Sequence, residues 1–192
     1  MSSSSHCAKF DRPTRRQVLL ALAAALGGSR VAAQPAAPAE LRSEVPTARL
    51  QGHGQMRFLG LHVYDIRWWT PTAVSAHEAL SVESALEIEY ARALKGPLIA
   101  ERSIKEMHRV GEFSVVDEAR WLGQMKQLFP DVQTGDRITG VNRRSEGVRF
   151  YVNGRLAGQV RDAAFAPLFF GIWLSPRTSE PKLRAELLGT AP

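Results

Sequence analysis

The spacing of the apolar residues changes repeatedly along the chain, and this alternation limits the fold more than any other feature. A spacing of two, typical of β-strands, holds over 56–69, 85–94 and 137–160. A helical spacing of three or four holds over 97–110, 117–129, 162–173 and 181–188. Asn153 and Gly154 between two strand-like runs indicate a hairpin. Because strands joined by hairpins precede paired helices twice, we predict an α+β fold, an antiparallel sheet with helices packed on one face.

The first 33 residues have the pattern of an export signal rather than of a folded element. Arg15 and Arg16 lead directly into an uncharged apolar stretch, 18–26, and small residues up to Ala33 follow. We predict a twin-arginine signal cleaved after Ala33, which makes the protein periplasmic or otherwise exported. The apolar stretch is too short for a membrane span, which needs about 20 residues, so no stable membrane anchor is expected.

The predicted signal carries most of the net positive charge. The whole chain has 25 Lys and Arg against 19 Asp and Glu. Five of the basic residues and one acidic residue precede position 34, which leaves 20 against 18. A nearly neutral remainder argues against nucleic acid as a partner. Because the one cysteine, Cys7, also lies in the signal, the remainder has no disulfide and no thiol nucleophile.

After the predicted signal, we expect a spacer and then one folded domain. Residues 34–45 are rich in proline and alanine and offer little to bury, so they are predicted to be a mobile linker. Residues 46–192 suit a single domain with its own core.

No established catalytic, metal or cofactor motif is present. After the predicted signal, the histidines His53, His62, His77 and His108 lack the spacing of metal ligands, so no metal and no cofactor are predicted. A nucleotide-binding glycine pattern and a Gly-x-Ser-x-Gly nucleophile turn are also missing.

Aromatic residues instead concentrate in two places, and core packing is the simplest explanation for any one of them. Together they could line a cleft between sheet and helices that binds a small apolar molecule. The ligand-binding candidates are Trp68, Trp69, Phe169 and Trp173. Arg57, Tyr64 and Tyr90 are candidate polar groups, because arginine binds carboxylates and a phenol donates a hydrogen bond.

Several short motifs, in their order and spacing, resemble the chalcone isomerase-like family, specifically its exported bacterial branch. They are Val63-Tyr64-Asp65, the turn at 90–97, the segments 129–132 and 135–136, Asn153-Gly154, and 170–174 followed by 187–189. The resemblance implies an open-faced β-sandwich with helices on one side. The family includes plant enzymes that close a chalcone to a flavanone and non-catalytic relatives that bind fatty acids.

The resemblance also implies that the isomerase site has been lost. Where the plant enzymes have a threonine on the long strand, this chain has Leu59 or its neighbour, and Phe113 stands where they have a catalytic tyrosine. Their arginine corresponds at best to Arg49. The leading hypothesis is therefore a non-catalytic protein that binds a small apolar ligand such as a fatty acid. The alternatives are an active isomerase that uses Arg57, Tyr64 or Tyr90, and a structural or interaction domain without a ligand. The sequence identifies no protein partner.

Overall fold

The sheet follows the order of the chain, because each strand pairs with the next one, including β3 and β4, which are separated by two helices. The computed structural model describes residues 36–191. The strands are β1 (Arg49–Phe58), β2 (Leu61–Thr70), β3 (Ser84–Tyr90), β4 (Arg137–Asn142), β5 (Val148–Val152) and β6 (Arg155–Val160). They form one six-stranded antiparallel sheet in that order. The helices are α1 (Leu41–Glu44), α2 (Gly96–Val110), α3 (Val115–Leu128), α4 (Phe165–Leu174) and α5 (Pro181–Leu188). The predicted α+β fold is confirmed.

Helices α2 to α5 pack on one face of the sheet and form the main core with it. Alternation along the strands turns Trp68, Leu86 and Phe150 toward these helices. Helix α4 is buried on almost every side, as its continuous apolar sequence predicts. Ser114 caps α3 by accepting a hydrogen bond from the Asp117 backbone N–H at 3.0 Å.

The opposite face of the sheet is covered by the segment 36–48, which includes α1. Leu41 and Val45 are buried there against Trp69 and Val141. The sequence predicts a spacer with little to bury in this region, and that prediction is wrong for the segment from Ala37 onward. Leu41 and Val45 are too few to give a periodic pattern in the sequence, but they are enough to cover this face of the sheet.

Two hairpins have the same two-residue turn, and the sequence predicts only one of them. Asn153 and Gly154 have φ values of 49° and 79°, as expected for a hairpin turn of this kind. Leu59 and Gly60 have φ values of 49° and 80° and join β1 to β2. The single strand predicted over 56–69 is therefore a hairpin, which was missed because leucine rarely adopts positive φ.

The predicted export signal, 1–33, lies outside the described residues. Between residues 36 and 191, none of the helices has the length and the apolar character needed to cross a bilayer.

Candidate functional site

A cavity of about 370 Å³ lies between the helix-bearing face of the sheet and helices α2 and α4. Its walls are mostly apolar and include Met56, Ile88, Ile99, Ile138, Phe169 and Ile172. It opens between the β1–β2 hairpin and the beginning of α2, where the lining residues Phe58 and Leu98 are exposed. Its size and apolar lining are typical of small-molecule sites.

Strand pairing places two tyrosines side by side in the wall of this cavity. Tyr64 on β2 is paired with Tyr90 on β3, so both side chains project from the same face of the sheet. Their ring centroids are 6.1 Å apart and the ring planes meet at 74°, an edge-to-face contact. Both residues line the cavity.

Both phenols are neutral at physiological pH and can donate a hydrogen bond into the cavity. The Trp173 Nε1–H donates to the Tyr64 hydroxyl oxygen at 2.9 Å, which leaves the hydroxyl proton of Tyr64 for another acceptor. Burial raises the pKa of Tyr64 to about 12 and raises the pKa of Tyr90 further. Among residues 36–191, the Tyr90 hydroxyl has no hydrogen-bond partner although the residue is only 4% exposed. An unpaired hydroxyl on a buried residue that lines an open cavity is suited to a ligand that carries an acceptor atom.

The charged groups of the cavity wall are Arg102 and Glu106 on α2, Arg92 in the loop before α2, and Glu180 just before α5. Glu106 is 5% exposed and accepts a hydrogen bond from the Ser179 hydroxyl at 2.9 Å. Arg102 Nη2 lies 2.9 Å from Glu106 Oε1, an ion pair without hydrogen-bond geometry, and Arg109 Nε lies 3.3 Å from Oε2. Arg92 is exposed and has no carboxylate within 4.0 Å in the described part of the chain. The buried carboxylate is thus already neutralised, whereas Arg92 is free to bind an anion.

Four of the residues singled out from the sequence line the cavity, and three do not. Tyr64, Tyr90, Phe169 and Trp173 line it. Trp68 is fully buried in the core below the helices, while Trp69 faces the other side of the sheet and donates to Glu87 Oε2 at 2.9 Å.

Arg57 is also placed away from the cavity. Its neighbours Met56 and Phe58 line the cavity, but Arg57 itself is exposed and donates to Gln55 Oε1 at 3.1 Å. Adjacent strand residues face opposite sides, which separates Trp69 from Trp68 and Arg57 from its neighbours.

Leu59, Phe113 and Arg49, which were compared with the plant enzymes, do not line the cavity either, although Phe58, the neighbour of Leu59, does. Leu59 is 86% exposed at the hairpin turn, and Arg49 is exposed at the beginning of β1. Phe113 stacks on His108 with ring centroids 4.2 Å apart. The missing hydroxyls at Leu59 and Phe113 therefore say little about this cavity, and the case against catalysis has to come from the groups that do line it.

Sequence reasoning missed the polar residues of α2. Arg102 and Glu106 are four residues apart, a spacing that places both on one helix face and was available as a signal. Between residues 36 and 191, no three His, Cys, Asp or Glu side chains are grouped in a way that could hold a metal ion.

Comparisons with known proteins agree with this architecture. A family model described as chalcone isomerase-like matches residues 33–189. An uncharacterised protein of Haemophilus influenzae is 28% identical over 149 residues, which cover 77% of this chain and 72% of that protein. The crystal structure of a fatty-acid binding protein from Arabidopsis thaliana superposes with a TM-score of 0.58 at 14% identity, covering 74% of this chain and 87% of that one.

Proposed function

The chain belongs to the chalcone isomerase-like family, as the match over residues 33–189 shows, and we propose that it binds a small apolar ligand such as a fatty acid without transforming it. The observation that carries this proposal is the apolar cavity of about 370 Å³ with the unpaired Tyr90 hydroxyl in its wall. A structural neighbour is a fatty-acid binding protein, which supports the same ligand class. The resemblance to the chalcone isomerase-like family found in the sequence is confirmed, while its exported bacterial branch stays a prediction.

The cavity provides positions for both ends of an amphipathic acid. The hydrocarbon chain would lie against Ile138, Phe169 and Ile172, where each buried methylene contributes about 0.8 kcal/mol. The carboxyl oxygens would accept hydrogen bonds from Tyr64 and Tyr90, or would pair with Arg92 at the opening. The two placements of the carboxyl group orient the ligand in different directions within the cavity, but both suit the same class of ligand.

The chemistry of the lining groups favours binding over isomerisation. Burial raises the pKa values of both phenols, so neither of them ionises near neutral pH and neither acts as a base. Glu106 already interacts with Arg102, Arg109 and Ser179. An active isomerase remains the alternative, because two phenols and an arginine could stabilise a developing oxyanion.

Ligand binding is tested by native mass spectrometry of the purified protein, followed by titration with a long-chain fatty acid. We expect a co-purifying lipid, and a free energy of unfolding that rises by about 2.7 kcal/mol at a ligand concentration 100 times Kd. A matched titration with the corresponding alkane separates cavity filling from recognition of the carboxyl group.

Two outcomes would contradict the proposal. If no lipid co-purifies and no fatty acid shifts the unfolding transition, the protein is a structural or interaction domain. If the protein rapidly converts chalcone to flavanone, and Tyr64→Phe with Tyr90→Phe abolishes that turnover, the isomerase alternative is correct.

We further propose that residues 1–33 direct export by the twin-arginine route, which carries folded proteins. The paired Arg15 and Arg16 before a weakly apolar stretch support this proposal. Replacing both arginines with lysine in the full chain should leave folded protein in the cytoplasm, as measured by cell fractionation. The general secretion route would be indicated if export of this variant were unchanged.

A further inference from the structure

Solvent-facing apolar side chains lie at the cavity opening, together with the exposed polar lining residues Arg92, Arg102 and Ser179. Phe58, Leu59 and Leu61 form the tip of the β1–β2 hairpin and are 53%, 86% and 55% exposed. Leu98, in the first turn of α2, is 60% exposed and lines the opening together with Phe58. We call these four residues the rim. Grouped exposed apolar residues beside a ligand cavity are typical of a contact surface, unlike single exposed leucines elsewhere.

Leu59 does not stabilise the fold in a way that would explain its presence. It has a φ of 49°, which is unfavourable for leucine, and its side chain is almost fully exposed. The equivalent turn between β5 and β6 has the same φ at Asn153, the residue type that tolerates this conformation best after glycine. Leu59 therefore has a strained backbone and an exposed side chain, and packing of that side chain does not compensate for either. This combination indicates a role in contact with something outside the domain.

Positive charge accompanies the rim. Arg57, Arg92 and Arg102 are exposed next to it, the last two as residues of the cavity wall. Within residues 36–191, neither Arg57 nor Arg92 has a carboxylate within 4.0 Å. The carboxylates nearby are Glu106, which is buried beside Arg102, Glu180 in the cavity wall, and Asp65 on β2, which accepts a hydrogen bond from the Gln55 side chain that also accepts one from Arg57. Apolar residues flanked by unpaired arginines are complementary to an anionic lipid surface.

We propose that the rim docks on the surface of an anionic phospholipid bilayer, with the cavity opening toward the lipid. The apolar side chains of the rim would enter the boundary between head groups and acyl chains, while Arg57 and Arg92 contact lipid phosphates. The role of this docking rests on the proposed function, since an acyl chain could then pass between membrane and cavity without crossing water. The docking itself depends only on the rim and its arginines.

The test measures co-sedimentation with two kinds of vesicle, phosphatidylcholine alone and phosphatidylcholine mixed with phosphatidylglycerol. We expect binding to the mixed vesicles, weakened by salt, and little binding to the neutral ones. Leu59→Asn should reduce the partition coefficient by about tenfold or more, the expected effect of withdrawing one leucine from an apolar phase. Arg92→Gln should reduce it by about fivefold, and only with anionic vesicles.

A matched control separates loss of docking from loss of folding. Leu59→Asn puts at this turn the residue that the other hairpin already uses, so the melting temperature should stay the same or rise. Leu156→Asn removes a leucine that is 61% exposed on β6, at the opposite edge of the sheet, and should not change vesicle binding. Neither residue lines the cavity, so fatty-acid binding in solution should be unaffected in both variants.

Three results would overturn the docking proposal. Leu59→Asn could bind mixed vesicles as well as the unaltered protein, or the unaltered protein could bind neither kind of vesicle. Alternatively, sedimentation velocity could show a dimer that Leu59→Asn dissociates, in which case the rim binds a second copy of the chain. Vesicle binding without fatty-acid binding would instead contradict the proposed function and leave docking intact.

Discussion

Replacing Ser103 with phenylalanine should weaken fatty-acid binding by about 100-fold or more, equivalent to about 2.7 kcal/mol, without unfolding the protein. Ser103 is a buried residue of α2 whose side chain lines the cavity. A phenyl ring at this position would occupy much of the space that an acyl chain needs. Because it fills an apolar cavity, it should also leave the melting temperature of the ligand-free protein unchanged or raise it. Fluorescent fatty-acid displacement and thermal unfolding measure the two effects.

Ser103→Ala is the matched control for this variant. The Ser103 hydroxyl donates to the Ile99 carbonyl at 2.9 Å, a contact within the helix that both variants remove. Only the phenylalanine adds volume, so Ser103→Ala should bind fatty acid as the unaltered protein does. If Ser103→Phe also retained full affinity, the ligand would have to bind outside this cavity.

The opposite signs of the two expected effects make this variant informative. A substitution that merely damages the fold lowers both stability and affinity. Filling the cavity separates stability from affinity, because the ligand-free protein gains packing while the ligand loses the space it needs to bind. The same logic applies to Leu59→Asn, where a more favourable turn accompanies weaker docking.

The strand and helix order was predictable because it rests on periodic patterns in the sequence. Helix α2 begins at Gly96, beside Pro97, and ends at Val110, just before Gly111, and Asn153-Gly154 forms the expected hairpin. The β1–β2 turn was not predictable, since Leu59 is a poor residue for positive φ. The rule that leucine avoids positive φ thus failed at the position that the docking proposal identifies as functional. Failures of local rules are expected at functional positions.

The cavity was predictable only in part, for reasons of strand geometry. Tyr64 and Tyr90 could be recognised as polar groups, but their pairing depends on the register of β2 and β3. Irregular pairing in β1, between Met56 and Arg57, makes it harder to assign side chains to faces by counting residues. Trp68 points to the same face of the sheet as the cavity but lies too far along β2 to reach it. The amino-acid composition does not indicate how far along a strand a residue lies from the cavity.

The segment 36–48 is held to the sheet by polar contacts as well as by apolar ones. Thr139 Oγ1 donates to Glu40 Oε1 at 2.7 Å. The Tyr151 hydroxyl and Arg149 Nη1 donate to Glu44 Oε1 at 2.6 Å and 3.0 Å. Burial alone would raise the pKa of Glu44, but these two hydrogen bonds, together with the charges of Arg149 and Arg143, hold the pKa below its ordinary value of 4.5. The segment is therefore expected to be part of the cooperative fold rather than a linker.

Leu41→Ala tests this expectation and should lower the free energy of unfolding by about 3 kcal/mol, within the usual range for truncating a buried leucine. Leu41 is fully buried against the face of the sheet that carries Trp69. For a domain of this size the melting temperature should fall by about 6–12 °C. Leu156→Ala, at a leucine that is 61% exposed, should change the free energy of unfolding by less than about 0.5 kcal/mol. Chemical denaturation of both variants measures the difference.

Equal stabilities would mean that the segment detaches in solution and that the spacer predicted from its proline and alanine content was the better description. A difference of the expected size would instead mean that the segment before β1 belongs to the folded domain, which a route that carries folded proteins would export as one unit.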